Sequence, residues 1–389
     1  MTDATNEAIT VLEKLVAFDT TSRNSNLALV DYVEGYLKER GVTSERVINE
    51  SGDKASLFAT IGPVGIPGVA LSAHTDVVPV DGQDWATDPF KLTRKDGKLY
   101  GRGACDMKGF LACCLANVSA FTATDLKTPI HLAFSYDEEV GCTGVRPMIA
   151  QLGSRFVKPR LVIVGEPTSM MVVDAHKGPV RWQVTIRGRA AHSSMAPLGV
   201  NTITAAGHLL VELAAIENDL KVNDRNDRFD PPYTTLQVTE IEGGTASNIV
   251  PEETWFGWEI RALPGTDPDA IENRLRAKAA TLLPAMRDVA PEADIEILRT
   301  NDVPPFGAAK ESPAVTLALK LAEQNETHCV AYATEASLFD RAGSPSVVCG
   351  PGDIAQAHTP NEWIEIAELE KCNAFMSRLT AWASTDAPA

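Results

Sequence analysis

Residues 68–79 read G-V-A-L-S-A-H-T-D-V-V-P. A short apolar run, Gly68–Ser72, stops at a polar cluster holding a histidine and an aspartate two residues apart. The run is continuous rather than alternating, the form of a strand buried on both faces. Leu57–Ile61, Ile130–Tyr136 and Leu161–Val164 repeat that form, and each ends in polar residues. Helix-spaced stretches lie around them. Residues 6–17 put Ile9, Leu12 and Val16 on one face, and residues 27–40 do the same with Val30, Val33 and Leu37, with Gly41 as a stop. Residues 109–121 are also helical in pattern. Apolar runs alternating with such stretches predict an α/β fold: a largely buried mixed sheet flanked by helices.

The pattern changes near residue 179. Arg181–Arg187 alternates, with Trp182, Val184 and Ile186 on one face. An apolar-striped helix over 201–216 follows, then strand-like runs at 234–240 and 254–262 around Gly243-Gly244, a helix at 267–283 and an alternating strand at 294–299. Strand, helix, strand, strand, helix, strand is the split order of a ferredoxin-like α+β unit. The expected organisation is a first domain built from 1–178 and 300–389, with an inserted domain over 179–299. A helix at 312–325 and a strand at Ser346–Cys349 resume the first pattern.

Composition excludes several classes. The chain has 389 residues, 44% of them apolar, enough for two ordinary cores. A net charge of −17 disfavours a nucleic-acid partner, which selects a basic face. The longest apolar stretches are too short to span a bilayer. The first residues, M-T-D-A-T-N-E, lack a basic start and an apolar core, so a cytoplasmic location is expected. Seven cysteines, an odd number with no C-x-x-C pair, read as reduced thiols, mostly buried.

Five segments at the ends of apolar runs hold the chemistry. In S-A-H-T-D-V-V-P, His74 is a ligand candidate, and Asp76 is placed to fix its ring from behind. In G-R-G-A-C-D-M-K-G (101–109), three glycines flank Asp106; alone, this aspartate reads equally well as the cap of the helix beginning near 109. Y-D-E-E-V-G (136–141) puts three carboxylates in a row. They repel unless cations neutralise them, although a solvated loop is the usual fate of such a run. V-G-E-P-T (164–168) offers Glu166, and Q-A-H-T-P-N-E (356–362) offers His358. Two histidines and several carboxylates at strand ends suit a pair of divalent ions. Nitrogen and oxygen donors without thiolate fit zinc, with cobalt or manganese as substitutes.

Taken together, H-x-D, G-x-x-D-M-K-G, D-E-E, G-E-P-T and A-H-T-P-x-E resemble the zinc exopeptidase family of acetylornithine deacetylases, succinyl-diaminopimelate desuccinylases, aminoacylases and carboxypeptidase G. The resemblance covers nearly the whole chain. It implies a di-zinc catalytic domain with an inserted lid and dimerisation domain. It also implies that His74 and Glu166 hold one zinc, that Glu139 and His358 hold the other, and that Asp106 bridges both. Glu138 is then the general acid/base and Asp76 the support of His74, with a cis peptide at Asp106–Met107. In the inserted domain it implies that His192, in A-A-H-S-S, steadies the oxyanion. Asn248 and Arg261 match substrate-binding positions, and Arg261 is suited to a bidentate grip on a carboxylate.

F-D-T-T-S-R-N-S-N-L-A-L (18–29), G-E-P-T-S-M (165–170), A-H-K-G (175–178) and A-T-E-A-S-L-F (333–339) are most similar to the acetylornithine-cleaving branch. The resemblance therefore implies metal-assisted hydrolysis of an N-acyl amino acid, with N2-acetylornithine first, in arginine biosynthesis. Other acyl amino acids and dipeptides are the alternatives. It implies a homodimer through the inserted domain as well. Glu335 reads either as the partner of a substrate ammonium or as a supporting residue. His131, His176, His208 and His328 read as structural.

Overall fold

The computed structural model describes residues 2–385. They form two compact units. The first comprises the residues up to Ala175, Gly307–His328 and those from Thr334; the second comprises His176–Phe306 and Cys329–Ala333. The junctions lie just outside the expected 179–299. Strand Gly178–Arg187 starts before its alternation becomes visible, and strand Asp294–Asp302 runs beyond it.

In the first unit the strands lie in the order Ser44–Ile48, Ala55–Ile61, Ile130–Ser135, Val69–His74, Leu161–Pro167, Ser346–Gly350, and the sheet continues into the short strands near the unit junctions. The first three pair antiparallel. Ile130–Ser135, Val69–His74, Leu161–Pro167 and Ser346–Gly350 pair parallel. Every residue of these four is buried, which explains their unbroken apolar character. Register sets their carboxyl ends level: His74 faces Ser135, Ser72 faces Val164, and Gly350 faces Pro167. Ligands of α/β sheets collect beyond that edge.

Helices Asp3–Val16, Lys108–Ala116 and Ile366–Ala383 pack together over the sheet. The first is capped by Thr2, whose hydroxyl accepts from the Thr5 amide. The helix expected over 109–121 is two, Lys108–Ala116 and Val118–Ala123. Between them Asn117 turns its side-chain amide onto the Cys113 carbonyl at 2.8 Å and onto Asn373 at 2.7 Å. This is the local competition by which asparagine disfavours helix interiors.

The second unit runs Gly178–Arg187, Thr202–Asn223, Thr235–Gly243, Glu253–Ala262, Pro268–Val289, Asp294–Asp302. Its four strands are antiparallel, ordered second, third, first, fourth, which is the ferredoxin-like arrangement. Trp182 and Trp258 stack at 4.0 Å in its core, beneath the two helices. Among the described residues no helix is long and apolar enough to cross a membrane, and the seven cysteines are all free, six of them buried.

Close backbone packing at the carboxyl edge requires glycine. A Cβ on Gly350 would stand 1.9 Å from the Gly165 carbonyl oxygen. Gly350→Ala is therefore expected to destabilise by about 1–3 kcal/mol. Gly35, exposed inside helix Leu27–Glu39 with open space around it, is the contrasting case. Gly35→Ala is expected to stabilise by roughly 0.5–1 kcal/mol. Urea unfolding of the two variants checks both signs.

Candidate metal centre

His74 ends its strand, fully buried. Its Nδ1 lies 2.9 Å from the Asp76 carbonyl oxygen. A carbonyl only accepts, so Nδ1 carries the proton and Nε2 is the atom offered to the cluster. Nε2 stands 3.0 Å from Asp106 Oδ1 and 3.8 Å from Glu166 Oε1. The Asp76 carboxylate, 3.5 Å from the ring, does other work besides. It accepts from the Ser22 hydroxyl at 2.7 Å and from the amides of Glu138 and Glu139 at 3.1 and 3.3 Å. Asp76 thus holds the turn that carries both glutamates. Lys54 holds the same turn from outside, 2.6 Å from Asp137, whose φ is +53°.

Asp106 is not a helix cap; Met107 occupies the position before Lys108, after a cis Asp106–Met107 peptide. The Asp106 carboxylate turns one oxygen to each histidine: Oδ1 to His74, and Oδ2 to His358 Nε2 at 3.2 Å. His358 Nε2 is also 3.1 Å from Glu139 Oε2. Glu166, on strand Leu161–Pro167, is 4% exposed, yet its Oε1 has no hydrogen-bond partner. A buried carboxylate oxygen is not left so without cause. Two triads, His74–Asp106–Glu139 and His74–Glu138–Glu166, have donor atoms all within 4.8 Å of one another.

The electrostatics agree with the geometry. Burial pushes Glu166 well above the usual carboxylate range, and Asp106 adds to it. Burial, then Glu139, Asp106 and Glu335, raise Glu138 well above that range, against the pull of His74. Glu139 is pushed up to about 7 by burial and by Asp106. Burial opposes charge on His74, but Glu166, Asp106 and Asp76 outweigh it and hold its pKa well above the ordinary value. Hydrogen bonds to Asp106 and Glu139 raise His358 to about 10. Asp106, Glu138, Glu139 and Glu166 carry four negative charges when ionised, the number that two divalent ions cancel. Oxygen and imidazole donors without thiolate fit such ions.

Other expected residues are placed differently. Glu335 is 1% exposed, with Oε1 2.5 Å from the Ser135 hydroxyl and Oε2 3.0 Å from Ser72. Both oxygens thus accept from strand serines below the surface, the placement a supporting residue would have. His192, Asn248 and Arg261 belong to the second unit. His192 Nδ1 accepts from the Ser194 amide, and the Ser193 amide bonds the Asn248 carbonyl at 2.9 Å, so those two segments adjoin. Arg261 lies on strand Glu253–Ala262, 3.3 Å from Glu259. His131 is structural: it bonds Thr60 and the Gly68 amide, and burial lowers it to about 4. Cys142 escaped the sequence reading. Its thiol donates to Glu138 Oε1 at 3.3 Å, and only its place four residues after Glu138 hinted at that.

Two histidines and four carboxylates gathered at the carboxyl edge of such a sheet define a metal-dependent hydrolase. The model of peptidase family M20/M25/M40 matches residues 70–381. The acetylornithine deacetylase of Myxococcus xanthus is 37% identical, over 95% of this chain and 96% of that protein. That of Proteus mirabilis (strain HI4320) is 34% identical, over 93% and 92%. Among solved structures, the M20 family metallo-carboxypeptidase Sso-CP2 from Sulfolobus solfataricus superposes with a TM-score of 0.77 at 19% identity, covering 97% of this chain and 99% of that one. The YXEP protein of Bacillus subtilis, a dinuclear metal binding peptidase from the M20 family, gives 0.68 at 14% identity, covering 97% of each. The chain belongs to peptidase family M20/M25/M40.

An ion must take the lone pairs that protons hold in the metal-free cluster. His358 is protonated below about pH 10 and Glu139 below about pH 7. Metal uptake near neutrality is therefore expected to release protons, and apparent affinity to fall as pH falls from 10 towards 7. Titrating metal-free protein in unbuffered solution measures the release; uptake without it would place the ions elsewhere.

Proposed function

We propose that the chain binds two divalent ions, zinc first, and hydrolyses N2-acetyl-L-ornithine to L-ornithine and acetate in the cytoplasm, supplying ornithine for arginine biosynthesis. The observation that carries the two-ion reading is Asp106, with one oxygen towards His74 and the other towards His358. His74, Asp106 and Glu166 hold one ion in this reading, and Asp106, Glu139 and His358 the other. Relatives bearing the deacetylase name, aligned along almost the whole chain, support the substrate.

Divalent ions held by these residues would lower the pKa of a bound water and polarise the acetyl carbonyl. Glu138 takes the proton as the water oxygen bonds to the carbonyl carbon. When the carbon–nitrogen bond breaks, Glu138 gives that proton to the departing amine, leaving acetate and the free amino acid. Its raised pKa suits a group that must both accept and return a proton near neutrality. His192 donates to the developing oxyanion, and Arg261 and Asn248 bind the amino-acid end.

A homodimer through the second unit accompanies this reading. Thr235–Gly243 is an edge strand, and Ile241, Ile203 and Val211 expose apolar side chains on it and on helix Thr202–Asn223. Apolar side chains exposed beside an edge strand support an interface there. Ile203→Glu is expected to shift the protein from dimer to monomer in sedimentation velocity; a wild-type monomer at micromolar concentration removes the proposal.

Glu138→Gln is expected to lower kcat by about 10²–10⁴-fold while two ions remain bound. Wild-type turnover should be greater on acetylornithine than on acetylmethionine, N-succinyl-diaminopimelate or dipeptides. Glu335→Gln should reduce acetylornithine and acetylmethionine turnover alike. Activity confined to another acyl amino acid would keep the mechanism and discard the substrate.

A further inference from the structure

His74 and Glu166 take their positions from adjacent parallel strands. Asp106 and His358 lie in irregular segments 252 residues apart in sequence, and His358 has a φ of +61° and a half-exposed side chain. Something other than the sheet must set their spacing.

Glu362 and Arg102 are each 1% exposed and form an ion pair at 2.8 Å. The Glu362 carboxylate also accepts three amides of the segment leading to Asp106: Gly103 at 3.0 Å on Oε2, and Cys105 at 2.8 Å and Asp106 at 3.1 Å on Oε1. Arg102 faces the other segment. Its Nη1 reaches the Thr359 carbonyl at 3.4 Å, and its Nη2 donates to Gln83 Oε1 at 2.5 Å. Gln83 then donates through Nε2 to the His358 carbonyl at 3.0 Å, and Trp85 Nε1 donates to Gln83 Oε1 at 3.0 Å. One buried ion pair is thus bonded to the backbone of Asp106 on one side and, through Gln83, to that of His358 on the other.

We propose that Glu362, Arg102 and Gln83 are positioning residues that set Asp106 against His358, and so preassemble the ion position these two share with Glu139. The proposal rests on the two-ion reading above. Groups bonded behind metal ligands typically contribute about ten- to hundredfold in affinity. An arginine–carboxylate pair buried this deeply adds little net stability for its desolvation, whereas fixing a geometry is a use to which such pairs are put. Gln83 acts on His358 alone; Glu362 acts on Asp106, which both positions share.

The test is cobalt titration of the metal-free, full-length protein, read by visible absorption and by bound metal after equilibrium dialysis. His358→Ala identifies which binding step belongs to the His358 position. Gln83→Ala, in a half-buried loop, is expected to leave the fold intact, checked by thermal unfolding. It is expected to weaken that step about ten- to hundredfold and leave the other unchanged. Glu362→Gln is expected to weaken both, that step more. Gln83→Ala with both steps at wild-type affinity, or with both weakened equally, overturns the proposal, as does Glu362→Gln with neither weakened. A wild type that binds fewer than two ions instead overturns the two-ion reading, and this proposal with it.

Discussion

Four carboxylates and two imidazoles converge at the carboxyl edge of one sheet, and the repulsion among the carboxylates is the constraint around which the site is organised. Buried like charges are costly unless something neutralises them. Burial and neighbouring carboxylates raise Glu138 and Glu166 well above the carboxylate range, and Glu166, Asp106 and Asp76 hold the His74 pKa above its ordinary value against burial. A cation relieves the same repulsion with two charges at a single point. The cluster that would destabilise an ordinary core is for that reason a strong ligand set.

The fold meets this constraint by keeping the backbone that carries the cluster from moving. Four parallel strands end level, so His74, Glu166 and the turn after Ser135 start from fixed points. Gly350 lets its strand approach Gly165 where a Cβ would collide, and Gly165 leaves room for the Phe110 ring. Asp76 ties the ring of His74 to the amides of Glu138 and Glu139, coupling a ligand to the proposed base. Glu335 binds Ser72 and Ser135 on neighbouring strands beneath the same group. Each of these contacts converts sheet geometry into side-chain geometry.

Much of this was legible in the sequence, for a physical reason. Strands buried on both faces are unbroken apolar runs, so the polar residues that close them stand out, and His74, Glu138, Glu139 and Glu166 were found that way. Alternation disclosed the second unit through Trp182, Val184 and Ile186. The missed features depend on contacts distant in sequence. A sequence does not show that Ser72 and Ser135 will enclose Glu335. Glu362 looked like the tail of a motif because its partners are backbone amides some 257 residues away, which have no sequence signature. Asn117 broke a helix whose apolar pattern ran straight through it, since the pattern records burial and not the competing side-chain amide.

The two halves of the centre therefore differ in what holds them. On the His74 side, ligand positions follow from strand pairing, which the whole core supports. On the His358 side a buried ion pair and a glutamine bond two segments that lie outside the sheet. The strand-borne half changes only if the core changes. The other half is reached through a half-buried loop residue, Gln83, rather than through the core.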